Sequence, residues 1–226
     1  MKMLVISPCS STQKHSELPN RLEPADFTSS ERLARRIKEL DKYKEPAAEM
    51  YEGREHEEIM EGLRKIRNCY GREVVDLSII STGYGLIDEC CTIVPYDVPN
   101  NTSPVLNGVG RGKLHQDVEK LIKDYDLVFF LLGETYVRAL QLPFNVPDTV
   151  TQVFLIFTRT TGYRSLIPEC LQNCEAIELH AHEFRSGYTA KGLVFKKLCE
   201  AACRDGFQVF EQVKQDPQRL LEIVRR

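Results

Sequence analysis

The apolar residues of this chain fall in short unbroken runs separated by polar segments with helical spacing. Met3 to Ser7, Val74 to Ile80, Asp126 to Leu132, Val150 to Phe157 and Ala176 to Leu179 read as strands. Within them, Val128-Phe129-Phe130-Leu131-Leu132 and Val153-Phe154-Leu155-Ile156-Phe157 offer no polar face to water. Strands of that kind are covered on both faces, which points to a mainly parallel sheet. Between the strands, Ser29-Ser30-Glu31 opens a helix with a hydroxyl cap and an acidic first turn, carrying Leu33, Ile37 and Leu40 at helical spacing, and Pro46 stops any continuation. Ile59, Leu63 and Ile66 share one face of a helix over 55–68, ended by Gly71. Further helices are predicted over 113–123, 135–142, 184–204 and 207–226, with Pro217 breaking the last. A long Pro-, Asn- and Gly-rich loop is expected from Ser81 to about Gly112. The fold class predicted is α/β: an open, mainly parallel sheet of about five strands flanked by helices. We read residues 1–226 as a single domain, a sheet-containing core over 1–180 followed by a helical C-terminal segment over 181–226.

Composition narrows the function. Hydrophobic residues make up 42% and charged residues 28%, the profile of an ordinary globule. Thirty Lys and Arg against 33 Asp and Glu leave a net charge of −3, which argues against a dedicated sequence-independent DNA coater but leaves room for a local basic pocket. No apolar run approaches the roughly 18 residues of a membrane span, and the apolar stretch at Met3–Ile6 is too short for a signal peptide, so no membrane partner and a cytoplasmic setting are expected. The eight cysteines are accordingly expected to be reduced, with no disulfide between Cys90 and Cys91 or joining the 170/174 and 199/203 pairs. The four-residue spacing of Cys170 and Cys174, and of Cys199 and Cys203, is longer than a zinc knuckle prefers. No metal and no cofactor are expected, and Cys199 and Cys203 read as small core residues on one helix face.

Ligands of an open parallel sheet bind beyond the carboxyl ends of its strands. The segments leaving the strands are rich in hydroxyls, glycines and titratable groups. Cys9 follows a strand and Pro8, with Ser10 beside it and Lys14 and His15 nearby; a cation close to a thiol favours the nucleophilic thiolate, while a small residue packed under the loop is the structural alternative. Gly83 and Gly85 around Tyr84 would let backbone approach a phosphate or base. Arg159 and Arg164 stand among threonines as an anion fork or a solvated basic loop. His180 and His182 are two apart at a strand end, where a surface loop is the simpler reading than a metal site. Glu134 serves as an acid or base, or caps the helix beginning at Thr135.

Three segments carry a resemblance: Ser7-Pro8-Cys9-Ser10 with Lys14; Pro46 to Gly53, leading into a helix with Arg64; and Ile79-Ile80-Ser81-Thr82-Gly83-Tyr84-Gly85-Leu86-Ile87 followed by Pro95-Tyr96-Asp97. The last resembles uncharacterised families grouped with YaaA-type peroxide-stress proteins. The P-C-S, three residues, K pattern is similar to the core domain of archaeosine synthase, a tRNA-modifying enzyme acting on a deazaguanine base. That family continues with Pro-Tyr after the lysine, whereas His15-Ser16-Glu17 follows here, and no appended RNA-binding domain is recognisable. The resemblance covers roughly 3–142 and implies a pocket shaped by Cys9, Lys14, Tyr51, Tyr84 and Tyr96 for a base-like or nucleotide-like ligand. The reading is an enzyme acting on a nucleobase, nucleoside or modified nucleic-acid base by transferase or glycosidase-type chemistry, with tRNA or DNA as candidate partners. Cys9, Lys14 and Glu134 are its candidate catalytic residues. Ser10, Tyr51, Gly83, Tyr84, Gly85, Tyr96, Asp97, Thr135 and Arg159 are its candidate binding residues. A non-catalytic nucleic-acid-binding or oxidative-stress protein of YaaA type is the alternative.

Overall fold

A computed structural model of the chain describes residues 1–107, 110–157, 164–168, 173–180 and 189–226. In chain order its elements are β1 (Met3–Pro8), α1 (Ser30–Glu39), β2 (Glu45–Pro46), α2 (Ala47–Met50), α3 (Arg54–Tyr70), β3 (Val75–Ser81), β4 (Gly85–Asp88), β5 (Thr92–Ile93), α4 (Gly110–Ile122), β6 (Leu127–Phe130), α5 (Glu134–Leu140), β7 (Thr151–Phe157), β8 (Cys174–Leu179), α6 (Ala190–Asp205), α7 (Gln208–Gln215) and α8 (Arg219–Val224).

Six strands form one sheet in the order β4-β3-β1-β6-β7-β8. All neighbours are parallel except the β3–β4 pair, so the mainly parallel α/β sheet is realised with one antiparallel edge strand. That strand, and the short β2–β5 pair, lie partly within the segment expected to be one long loop. The tight turn into β4 uses Gly85 at φ +84, a backbone conformation that glycine adopts without strain.

The alternation of β1 builds both cores. Met3 and Val5 face one side, with Ile59, Leu63 and Ile66 of α3 and Phe195 and Leu198 of α6. Leu4 and Ile6 face the other, with Leu114 and Val118 of α4 and Val137 and Leu140 of α5. The C-terminal helices are thus one of the layers covering the sheet: Phe195 and Phe210 meet the ring of Phe129 at 5.6 and 6.4 Å. α3 and α6 run side by side, closely enough that glycine is required at the contacts. A Cβ at Gly192 would lie 2.6 Å from the Glu55 carbonyl oxygen, and one at Gly62 would lie 2.9 Å from the Lys196 Cα.

The expectation of uniformly reduced thiols is corrected here, because Cys69 of α3 and Cys203 of α6 form a disulfide. Cys199 is buried as expected, and Cys203, one turn on, is packed against the same core while it bonds Cys69 of α3. Cys9, Cys90, Cys91, Cys174 and Cys199 are free, and Cys170 lies outside the described residues. No described helix is long and apolar enough to cross a membrane.

Candidate functional site

The strand order sets the place of the site. From β1 the chain moves to β3 on one side, then returns to β6 on the other and continues outward to β7 and β8. The crevice at such a reversal, beyond the carboxyl ends of the strands, is where doubly wound sheets bind ligands. A cavity of about 710 Å3 opens there, lined by Cys9 and Ser10 after β1, Thr82 after β3, Asn100 from the following loop, Tyr136 in the first turn of α5, and Lys191 in the first turn of α6. Its volume suits a small-molecule ligand.

Cys9 continues the β1 ladder by one residue, its N–H donating to the Ile80 carbonyl at 3.0 Å. The half-buried sulfur lies 3.4 Å from the Tyr136 hydroxyl and 3.9 Å from Thr82 Oγ1. The Tyr136 hydroxyl in turn reaches Asn100 Oδ1 at 3.4 Å. Burial, and after it the Cys9 sulfur, raise the Tyr136 phenol well above its ordinary value, so it keeps its proton.

Behind this pair is a closed knot of hydroxyls. Tyr51 and Tyr96 share a hydrogen bond of 2.9 Å, and Ser81 Oγ donates to the Tyr96 oxygen at 2.9 Å. Burial first, then the nearby Cys9, raises both phenols, so the knot backs onto the sulfur and both rings stay protonated. The structure therefore brings Cys9, Tyr51 and Tyr96 together. The two rings are buried at 3% and 1% exposure, so neither is an open platform for a stacked base; Tyr96 lines the cavity and Tyr51 does not.

The other sequence candidates divide. Ser10 lines the cavity, and its Oγ accepts from the Thr12 N–H at 3.0 Å; Gly53, at the head of α3, leaves the space that this hydroxyl occupies. Asp97 lines the cavity and pairs with Arg21 at 3.2 Å. Lys14 does not line it: its ammonium is 3.5 Å from both Glu45 and Glu49, and His15 lies 3.8 Å from Glu45. The cationic neighbour expected for Cys9 is thus spent on carboxylates. Gly83 serves packing, since a Cβ there would meet the Phe27 ring at 2.5 Å, and its N–H and that of Tyr84 are held by Ser81 Oγ. The Tyr84 hydroxyl bonds the Val94 backbone at 3.3 Å, and Gly85 serves the turn. Glu134 pairs with Arg138 at 2.8 Å, and Thr135 is exposed; neither lines the cavity. Arg159 and His182 lie outside the described residues.

Tyr136, Asn100 and Lys191 are among the lining residues that are not sequence candidates. Tyr136 sits within the segment leaving β6, where the fourth residue of Gly133-Glu134-Thr135-Tyr136 turns inward by helical periodicity. Asn100 belongs to a loop with no pattern. Lys191 falls within the stretch 184–204 predicted to be mostly helical, where nothing marks it as a site residue. In the structure it stands at the start of α6, its side chain 10% exposed and its ammonium 3.1 Å from Glu55 Oε2. Among the described residues no three His, Cys, Asp or Glu side chains converge as a metal set. Comparison with known protein families and with curated proteins finds no match. What the site offers chemically is a thiol beside a protonated phenol lining an open cleft, the pairing of a nucleophile with a proton donor.

Proposed function

We propose that the chain is an enzyme that acts on a nucleobase, nucleoside or modified nucleic-acid base held in this cleft, with Cys9 as its nucleophile. The observation that carries the reading is the placement of the Cys9 sulfur at the reversal of the strand order, 3.4 Å from a protonated phenol and open to the cavity. The other described free cysteines do not line that cavity. The base-like class of ligand comes from the sequence resemblance over 3–142, and the cavity volume is compatible with it. Lys14 and Glu134 drop out of the catalytic set on their ion pairs, and Tyr136 enters it.

The test is a melting-temperature panel of free bases, nucleosides, nucleotides and short RNA. A ligand that binds only the folded chain at a hundred times its Kd stabilises it by about 2.7 kcal/mol. The reading predicts that at least one base-bearing compound raises the melting temperature and that Cys9→Trp, which fills the cleft, abolishes the rise. A panel without any shift contradicts it.

A further inference from the structure

We infer that Tyr136 is a catalytic acid–base partner of Cys9 and that the group attacked is a carbon–heteroatom double bond, C=N or C=O, in the ligand. This rests on the Cys9-centred reading and adds to it the bond on which the sulfur acts.

The Cys9 sulfur and the Tyr136 oxygen are 3.4 Å apart, and the Tyr136 hydroxyl has its second partner, Asn100 Oδ1, also at 3.4 Å. The three atoms form a relay: the thiol S–H can donate to the phenol oxygen while the phenol O–H donates onward. Asn100 is exposed on its loop, so the acceptor at the end of the relay can be exchanged for an atom of a ligand. The neighbouring Tyr96 hydroxyl has no such freedom, being held by Tyr51 and Ser81 at 2.9 Å each. A ligand that offers carbon to the sulfur and an adjacent basic atom to the phenol completes the chain.

The step balances without any co-reactant. The Cys9 sulfur forms a bond to the carbon, and the π pair of C=X moves onto the heteroatom. X takes the phenolic proton, and the phenol oxygen takes the proton that leaves the thiol. Tyr136 ends as it began, and the net change is addition of S–H across C=X, with nothing oxidised or reduced. No tyrosinate forms, which suits a buried ring that resists ionisation. A saturated carbon bearing a leaving group would use the sulfur but not this relay.

Two probes separate the possibilities. Pyridine-4-carboxaldehyde adds a thiol across C=O and needs a proton delivered to oxygen; iodoacetamide is attacked at saturated carbon and does not. Each is followed on the intact chain, with Cys9→Ala to subtract reaction elsewhere. Tyr136→Phe keeps the ring that fills the site. The inference predicts that this variant loses about a hundredfold or more in the rate of aldehyde addition at Cys9, the scale of a positioned acid–base group, and clearly less in alkylation. In the parent protein, aldehyde addition is slowed in D2O and alkylation is not, a result that holds even if the variant fails to fold. Equal losses with both probes, or no D2O effect on the addition, overturn the role of Tyr136 while leaving Cys9 as the nucleophile. A Cys9 inert to both probes overturns the Cys9 reading and this one together.

Discussion

The two ends of the α3–α6 pair differ in how completely their polar groups are satisfied. At the carboxyl ends, the Cys69–Cys203 disulfide ties the helices, the Tyr70 hydroxyl donates to the Ala202 carbonyl at 2.7 Å, and Lys65 pairs with Glu200. At the amino ends, which border the cleft, the balance is incomplete. Among the described residues the buried side-chain atoms without a hydrogen bond are Ser7 Oγ, Glu55 Oε2 and His56 Nδ1. Two belong to the first turn of α3, and the third lies on β1 two residues before Cys9. Glu55 is 3.1 Å from Lys191 but not aligned for a hydrogen bond, so the contact is chiefly coulombic. Burial raises the Glu55 carboxyl above its ordinary value against the pull of Lys191. Unpaired buried polar atoms cost stability, and proteins tend to tolerate them where function requires it. One end of the same helix pair holds the fold; the other keeps polar groups unpaired beside the cleft.

The contrast makes predictions of decreasing size. The largest concerns the tied end. The disulfide spans 134 residues, and removing it in the double variant Cys69→Ala/Cys203→Ala is expected to cost about 3–5 kcal/mol of unfolding free energy in urea. Labelling of Cys9 should be unchanged, because the bond is at the far end of the helices from the cleft. A stability identical to the parent would remove the contrast at its strong end.

Next come the two hydroxyl clusters beside Cys9. Tyr96→Phe leaves the Tyr51 hydroxyl and Ser81 Oγ without their shared buried partner, and is expected to cost about 1–3 kcal/mol. Tyr136→Phe breaks only the longer 3.4 Å contacts, one of them to exposed Asn100, and is expected to cost less. The reverse order of melting temperatures would mean that the open cluster, not the knot, is the structural one.

The third prediction is a pH dependence. Burial lowers the His56 pKa below its ordinary 6.5, with the hydrogen bond at Ala48 acting against the shift. The unfolded chain therefore takes up a proton near pH 6.5 that the folded chain refuses. The His56 contribution is complete above 6.5 and is lost as pH falls below it, at no more than about 1.4 kcal/mol per pH unit. Glu55, raised above its ordinary 4.5, acts in the opposite sense as its carboxyl takes up a proton. The difference between the parent and His56→Gln isolates the histidine: the variant's stability should fall less between pH 6.5 and 5. Parallel curves would show that His56 is not held neutral.

Much of this was legible in the chain because strand burial and strand ends are local patterns. The unbroken runs at Val128–Leu132 and Val153–Phe157 announced a sheet covered on both faces, and Cys9 announced itself by following the first strand. What stayed hidden depends on long-range pairing. Gly85–Asp88 is too short and too mixed to show as an edge strand until β3 presents its register. The Cys69–Cys203 bond needs α3 and α6 to lie side by side. Lys14 lies near Cys9 in sequence, yet Glu45 and Glu49 from a later segment claim its charge. Lys191 reaches the cleft from nearly the other end of the chain.

On the proposed reading, the cleft makes Cys9 the reactive thiol. The most direct measurement is competitive labelling of the native protein with substoichiometric iodoacetamide at neutral pH, mapped by mass spectrometry. Cys90 and Cys91 are exposed and Cys9 is half-buried, so access alone would favour the former pair. The expected result is that Cys9 is labelled first and that a base-bearing ligand from the thermal panel protects it. Labelling that follows exposure, with Cys90 and Cys91 modified while Cys9 stays intact, would contradict it.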